Sequence, residues 1–209
     1  MAENVAATAK KGGYTGSGLG LLGHSILWSF LIVITLFIGT PWVIASAIRY
    51  IFKNTTVDGK KLTFDGTGGQ LIGKWLLWIL LTICTIGIYS FWIPKKLIQW
   101  IAKHVYIEGS DVPGSWEGGA IMLFLHILAA GFIAGLTLGL LYPVGLKFVI
   151  DYIVGKMTLG GGNVTFTGDA MGFLGRWIIW ALLSIITLGI YTFWAAAHLI
   201  NWVAENSHI

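Results

Sequence analysis

Charge is scarce in this chain. Of its 209 residues only 11% are charged, against roughly 25% in a soluble domain. Hydrophobic residues make up 56%, and mean hydropathy is +0.80. A chain this apolar cannot cover its own surface with polar groups. That predicts lipid as its solvent and leaves room for one membrane domain and no separate soluble one. A single cysteine, Cys84, excludes an intrachain disulfide and a cysteine-based zinc site. Carboxylates are missing from the long apolar runs. Apart from Asp151 and Glu205, the acids stand in tails and turns: Glu3, Asp58, Asp65, Glu108, Asp111, Glu117 and Asp169. No two are placed for acid–base work in an enclosed site. A Walker loop, HExxH, a nucleophile elbow and CxxC are absent too. The chain therefore reads as non-enzymatic, with no cofactor and no metal. The net charge of +4 is spread over loops and helix ends, which argues against nucleic acid and fits anionic lipid headgroups.

What is present is repetition. Gly73 to Trp92 reads GKWLLWILLTICTIGIYSFW and Gly175 to Trp194 reads GRWIIWALLSIITLGIYTFW, with twelve of twenty positions identical at an offset of 102. Weaker copies appear once the threonines Thr35, Thr85, Thr137 and Thr187 are aligned, at spacings of 50, 52 and 50. Seven residues on stand Trp42, Trp92, Val144 and Trp194, and eight further stand Tyr50, Trp100, Tyr152 and Trp202. The chain is thus four units of about fifty residues, the signature of a repeat architecture. Residues 1–17 read as a flexible tail, 18–118 as a first half with repeats one and two, and 119–209 as a second half with repeats three and four.

Each unit opens with an apolar run, at about 19–38, 71–90, 120–141 and 172–191. Twenty helical residues cover the roughly 30 Å of a hydrocarbon layer, so each run predicts a transmembrane helix. A break rich in Gly, Pro and aromatics follows, and then a shorter stretch with polar residues at helical spacing. These are Ser46, Arg49 and Lys53; Lys95, Lys96, Gln99 and Lys103; Lys147, Asp151 and Lys156; His198, Asn201 and Glu205. A wide apolar face with a narrow polar stripe predicts an amphipathic interfacial or re-entrant helix. Short β-hairpins between repeats are expected at VDGKKLTF (57–64) and MTLGGGNVTF (157–166), with a degraded form at 106–116 and none after repeat four. The expected fold is an all-α integral membrane protein with four crossings and four interfacial segments. With four crossings successive repeats are inverted; the distribution of lysine and arginine favours the competing arrangement of eight crossings, in which every hairpin faces one side.

The strings TLGIYTFW (187–194) and TIGIYSFW (85–92), together with VDGKKLTFDGTGG (57–69), resemble the YjgN-like family of bacterial inner-membrane proteins. Repeats two and four carry the resemblance best. Repeat one has Gly39 where the tyrosine is expected, and repeat three has lost the tryptophan. The resemblance implies a multi-pass protein of the bacterial inner (cytoplasmic) membrane and brings no functional residues with it.

Eleven residues before each threonine stands a basic or titratable side chain: His24, Lys74, His126 and Arg176. Two readings fit. Either the charges snorkel to headgroups, or the four converge inside the bundle as a polar pathway or an anion or proton site, with the histidines titrating. Arg49, Gln99, Asp151 and Asn201 hold equivalent stripe positions and suit either contacts between repeats or a path. Gly131, Gly135 and Gly139 form GxxxGxxxG, a helix-packing pattern. Two functions are expected from these features. One is a small channel or transporter that gives an ion or small solute a polar pathway at the repeat interface. The alternative is a structural or accessory subunit of a larger membrane complex. Membrane lipids, and either further copies of the chain or a larger membrane complex, are the expected partners.

Overall fold

The computed structural model describes residues 12–35 and 38–209. Most of the expected tail, including Lys10 and Lys11, lies outside them. Four long helices carry the apolar runs: α1 (Gly18–Ile34), α3 (Gly68–Cys84), α5 (Ala120–Leu136) and α7 (Ala170–Ile186). Each is followed by a short helix: α2 (Thr40–Lys53), α4 (Ile93–Ala102), α6 (Tyr142–Val154) and α8 (Thr192–Glu205). A 3-10 turn, Ile88–Trp92, leads into α4.

Local chemistry sets the ends of the long helices. Ser17 Oγ accepts the Gly20 amide at 3.0 Å. Thr67 and Gln70 form a capping box, and Asp169 accepts the amides of Met171 and Gly172. Gly119 has no side chain to cap α5, and its own amide donates to the Tyr152 hydroxyl of α6 at 2.7 Å. At the other end three helices stop in a Schellman motif. The amides of Gly87, Gly139 and Gly189 reach back to the carbonyls of Thr82, Ala134 and Ser184, each at 2.7 Å. The amides of Ile86, Leu138 and Leu188 bond Ile83, Gly135 and Ile185. In this motif the chain turns left-handed and the helix cannot continue.

The aligned threonine is the hinge of all four hairpins. Its hydroxyl donates to the carbonyl four residues back (Leu31, Leu81, Ile133, Leu183) at 2.6 to 2.8 Å. The same oxygen accepts the amide four residues on (Gly39, Tyr89, Leu141, Tyr191) at 2.9 to 3.0 Å. One side chain thus ties the end of the long helix to the start of the short one.

These stops overturn the expected membrane-crossing helices. Each long helix has 17 residues, about 25 Å, and in α3, α5 and α7 the Schellman turn ends the helix several residues before the apolar run does. Among the described residues no helix is long and apolar enough to cross a membrane. The multi-pass inner-membrane placement falls with that expectation. So does the inversion of successive repeats, because each short helix folds back and the strands gather at one end.

The all-α expectation is corrected as well. β1 (Gly13–Tyr14), β2 (Thr55–Val57), β3 (Lys60–Phe64) and β4 (Val105–Ile107) form one antiparallel sheet in that order. β5 (Ser115–Trp116), β6 (Met157–Leu159) and β7 (Gly162–Asn163) form a second. β8 (Thr165–Phe166) pairs with β9 (Ser207–His208). The alternation seen in the hairpin segments marks real strands, but they pair between repeats as well as within them. Leu62 faces Ile107 across repeats, and Ser115 faces Thr158.

The helices close into a ring. α1 packs on both α2 and α8, α2 on α3, α4 and its 3-10 turn on α5, α5 on α6, α6 on α7 and α7 on α8. Trp42 of the first repeat lies against Gly68 of the second, and Trp194 of the fourth lies against Gly18 of the first. A carboxylate latches the seam: Asp58 accepts from His208 Nδ1 at 2.9 Å and from the Ile209 amide at 2.8 Å. The main core sits at the strand end, where Leu62, Phe64, Leu71, Trp100, Val105 and Ile107 are buried together. The opposite end, at the hairpin turns, is apolar and bare. Ile86, Leu138 and Leu188 are 94%, 96% and 94% exposed.

Candidate functional site

The four basic positions do not meet. Each is the seventh residue of its long helix, near the strand end. His24 Nδ1 donates to the Gly20 carbonyl at 2.7 Å, and its ring lies 4.4 Å from Tyr50 and 5.4 Å from Trp28. His126 repeats this, bonding the Met122 carbonyl at 2.7 Å and stacking 4.5 Å from Tyr152. Lys74 and Arg176 are exposed. Among the described residues no hydrogen bond, ion pair or ring contact joins any two of the four.

The equivalent stripe residues bind backbone at the seams. Arg49 Nη2 donates to the Gly66 carbonyl at 2.8 Å. Gln99 Nε2 donates to the Trp116 carbonyl at 3.4 Å. Asn201 Oδ1 accepts the Tyr14 amide at 2.7 Å, which grips the first strand from the last helix. Asp151 differs: it pairs with Lys147 within α6 at 2.6 Å. The strands these residues hold share a feature that the sequence reading passed over. Tyr14, Phe64, Trp116 and Phe166 each fold over the glycine two residues on (Gly16, Gly66, Gly118, Gly168), where a Cβ would collide with the ring. The signal is an aromatic-x-Gly recurrence at the repeat spacing.

Within this chain the glycine pattern of the third repeat is not where helices meet. A Cβ on Gly131, Gly135 or Gly139 would touch nothing within 4 Å. The close approach lies in α6, where a Cβ on Gly145 would stand 2.8 Å from Ala130 Cα. Gly139 serves the Schellman turn at φ 84°, and its carbonyl accepts Trp177 Nε1 at 3.0 Å.

Two cavities follow from the ring. One, of about 390 Å³, opens at the strand end between α2, α6 and α8, with Ile51, Ile150, Val203 and Leu159 among its walls. No charged side chain lines it. Its only hydroxyls, Thr55 and Ser207, donate to the helical carbonyls of Ile51 and Val203. The other, of about 560 Å³, is a groove between α1, α2 and the start of α3, and among the described residues Arg49 is its one charged side chain. Among the described residues no group of three or more metal-ligating side chains is found. The arrangement offers apolar enclosure and one cation held by a backbone carbonyl.

Comparison of the chain with known families now has a structural counterpart. The family described as bacterial protein of unknown function, DUF898, matches residues 59–113 and 161–206. The chain belongs to this family. The YjgN-like resemblance of TIGIYSFW and TLGIYTFW is thereby upheld. The two DUF898 segments begin at Gly59 and Gly161, and each runs through strand, long helix and short helix. The family's unit is therefore the structural repeat. Repeats one and three, with Gly39 and Val144 at the diverged positions, lie mostly outside the match. No curated protein and no solved structure matches the chain.

Proposed function

We propose that this protein is a non-enzymatic structural component that seats its four helical hairpins in a lipid layer from one side, without crossing it. The observation that carries this reading is the state of three hairpin turns. Ile86, Leu138 and Leu188 sit at φ 50°, 50° and 51°, a left-handed conformation that costs an L-residue about 1–2 kcal/mol and is usually given to glycine. In water such a position gains nothing from a large aliphatic group. Inserted in hydrocarbon, each side chain recovers roughly 1.5–3 kcal/mol, which offsets the strain.

The distribution of charge supports the same orientation. No charged residue stands in 85–94, 137–146 or 187–197 around the turns. Lys53, Lys60, Lys61, Lys103 and Lys156 stand exposed beside the strands at the other end. There they are placed for anionic headgroups. A polar pathway gains no such support, since the four basic positions stand apart and the cavity between the short helices is lined by apolar groups.

Vesicle flotation tests the proposal. The wild-type chain is expected to rise with vesicles of phosphatidylcholine and phosphatidylglycerol. A variant with Ile86→Asp, Leu138→Asp and Leu188→Asp is expected to stay in the aqueous fraction with its helical circular dichroism retained. A wild-type chain that does not float, or a triple variant that floats as well as wild type, overturns the reading.

A further inference from the structure

We infer that the groove between α1, α2 and α3 binds a single-chain anionic amphiphile, with its acyl chain along α1 and its carboxylate or phosphate on Arg49. The fourfold repeat provides an internal control. Three repeats place a side chain four residues after the hinge threonine: Tyr89, Leu141 and Tyr191. The first repeat has Gly39 there, and Gly39 lines the groove. At the stripe position the other repeats carry an amide or an acid: Gln99, Asp151 and Asn201. The first repeat alone carries a cation, Arg49, in the same groove. Two independent departures from the repeat, a deleted side chain and an added charge, thus fall in one cavity. Its volume of about 560 Å³ lies in the range of small-molecule sites.

The walls suit an amphiphile. Leu27, Trp28, Leu31, Ile38 and Trp42 make the apolar flank, and among the described residues no Asp or Glu lines the groove. Arg49 donates to the neutral Gly66 carbonyl through one nitrogen and makes no ion pair among the described residues. Its remaining donors are free to take an oxyanion, for which the planar guanidinium is suited. A neutral chain would leave this charge unanswered, and a cationic one would be repelled. One groove on one helix face has room for one chain.

The test is tryptophan quenching in neutral maltoside solution, without vesicles, so that its outcome is separate from that of flotation. Dodecanoate brominated at its terminal carbon is expected to quench saturably through Trp28 and Trp42. The double variant Trp28→Phe with Trp42→Phe is expected to lose that component. Arg49→Gln is expected to weaken binding about tenfold, the loss of one charge-assisted contact. Arg49→Lys should retain most of the affinity, and Ser46→Trp, which fills the groove, should abolish it. The equivalent brominated trimethylammonium probe, used on the wild-type chain, is expected to bind at least tenfold more weakly, which frees the test from any variant's folding. Equal affinity for the anionic and cationic probes overturns the inference. So does undiminished binding by folded Arg49→Gln, or a preference for brominated phosphatidylglycerol over the single chain.

Discussion

Replacing Ile86, Leu138 and Leu188 by glycine separates two energies that act in opposite directions at the same residues. The first is conformational. All three hold φ near 50°, and glycine removes a strain of about 1–2 kcal/mol per site. Against this stands the extra chain entropy of glycine, about 0.5–1 kcal/mol. The net effect on the detergent-solubilised fold is a gain of about 0.5–1 kcal/mol per site, or roughly 2–4 °C in Tm per kcal/mol for a chain of this size. The second energy is transfer. With 94 to 96% of each side chain exposed, nearly all its apolar area is available to lipid. Losing it weakens partitioning by roughly 1.5–3 kcal/mol, a factor of about ten to a hundred per site. Thermal unfolding in maltoside and vesicle flotation, on the same three single variants, read the two energies apart. The expected result is a higher Tm with a lower bound fraction. Unchanged flotation would refute the lipid argument, and a lower Tm would refute the strain argument.

Other consequences are equally direct. Thr137→Val keeps the shape of the hinge but removes the bonds to the Ile133 carbonyl and the Leu141 amide. It is expected to cost about 1–2 kcal/mol in thermal unfolding. At the seam latch, burial works to raise the Asp58 pKa, but hydrogen bonds from His208 and the Ile209 amide, with the charges of His208 and Lys60, outweigh it and hold the carboxyl below its ordinary value. A lowered acid stabilises the fold above its unfolded pKa, and that contribution fades as pH falls through the folded value. Acidification below about pH 4 is therefore expected to speed hydrogen exchange of the Ile209 amide, and Asp58→Asn is expected to abolish that acid dependence. Tyr14 is pushed up to about 12 by burial, with the neighbouring Tyr50 adding to the effect. A phenol that ionises more readily unfolded than folded costs stability as pH rises from about 10 towards that value. An ultraviolet titration lacking this late step in Tyr14→Phe would identify it.

Much of this protein could be read from its residues alone. Fifty-residue spacing, the alignment of four threonines and the family resemblance are properties of one-dimensional order, and the structure places each threonine at an equivalent hinge. The alternation of a long apolar and a short amphipathic helix is likewise local periodicity. What the sequence could not decide was where a helix stops inside an apolar run. A Schellman turn at Ile86 or Leu188 depends on backbone geometry, and hydrophobicity does not change across it. That turn converted an expected crossing into a hairpin. Tertiary structure alone decided the rest: the ring closed by Asn201 on Tyr14 and Asp58 on His208, the separation of His24, Lys74, His126 and Arg176, and the groove that Gly39 and Arg49 both line. The two ring closures are contacts between residues far apart in the chain. Composition and periodicity say which face of a helix is apolar, but only packing determines what that face meets.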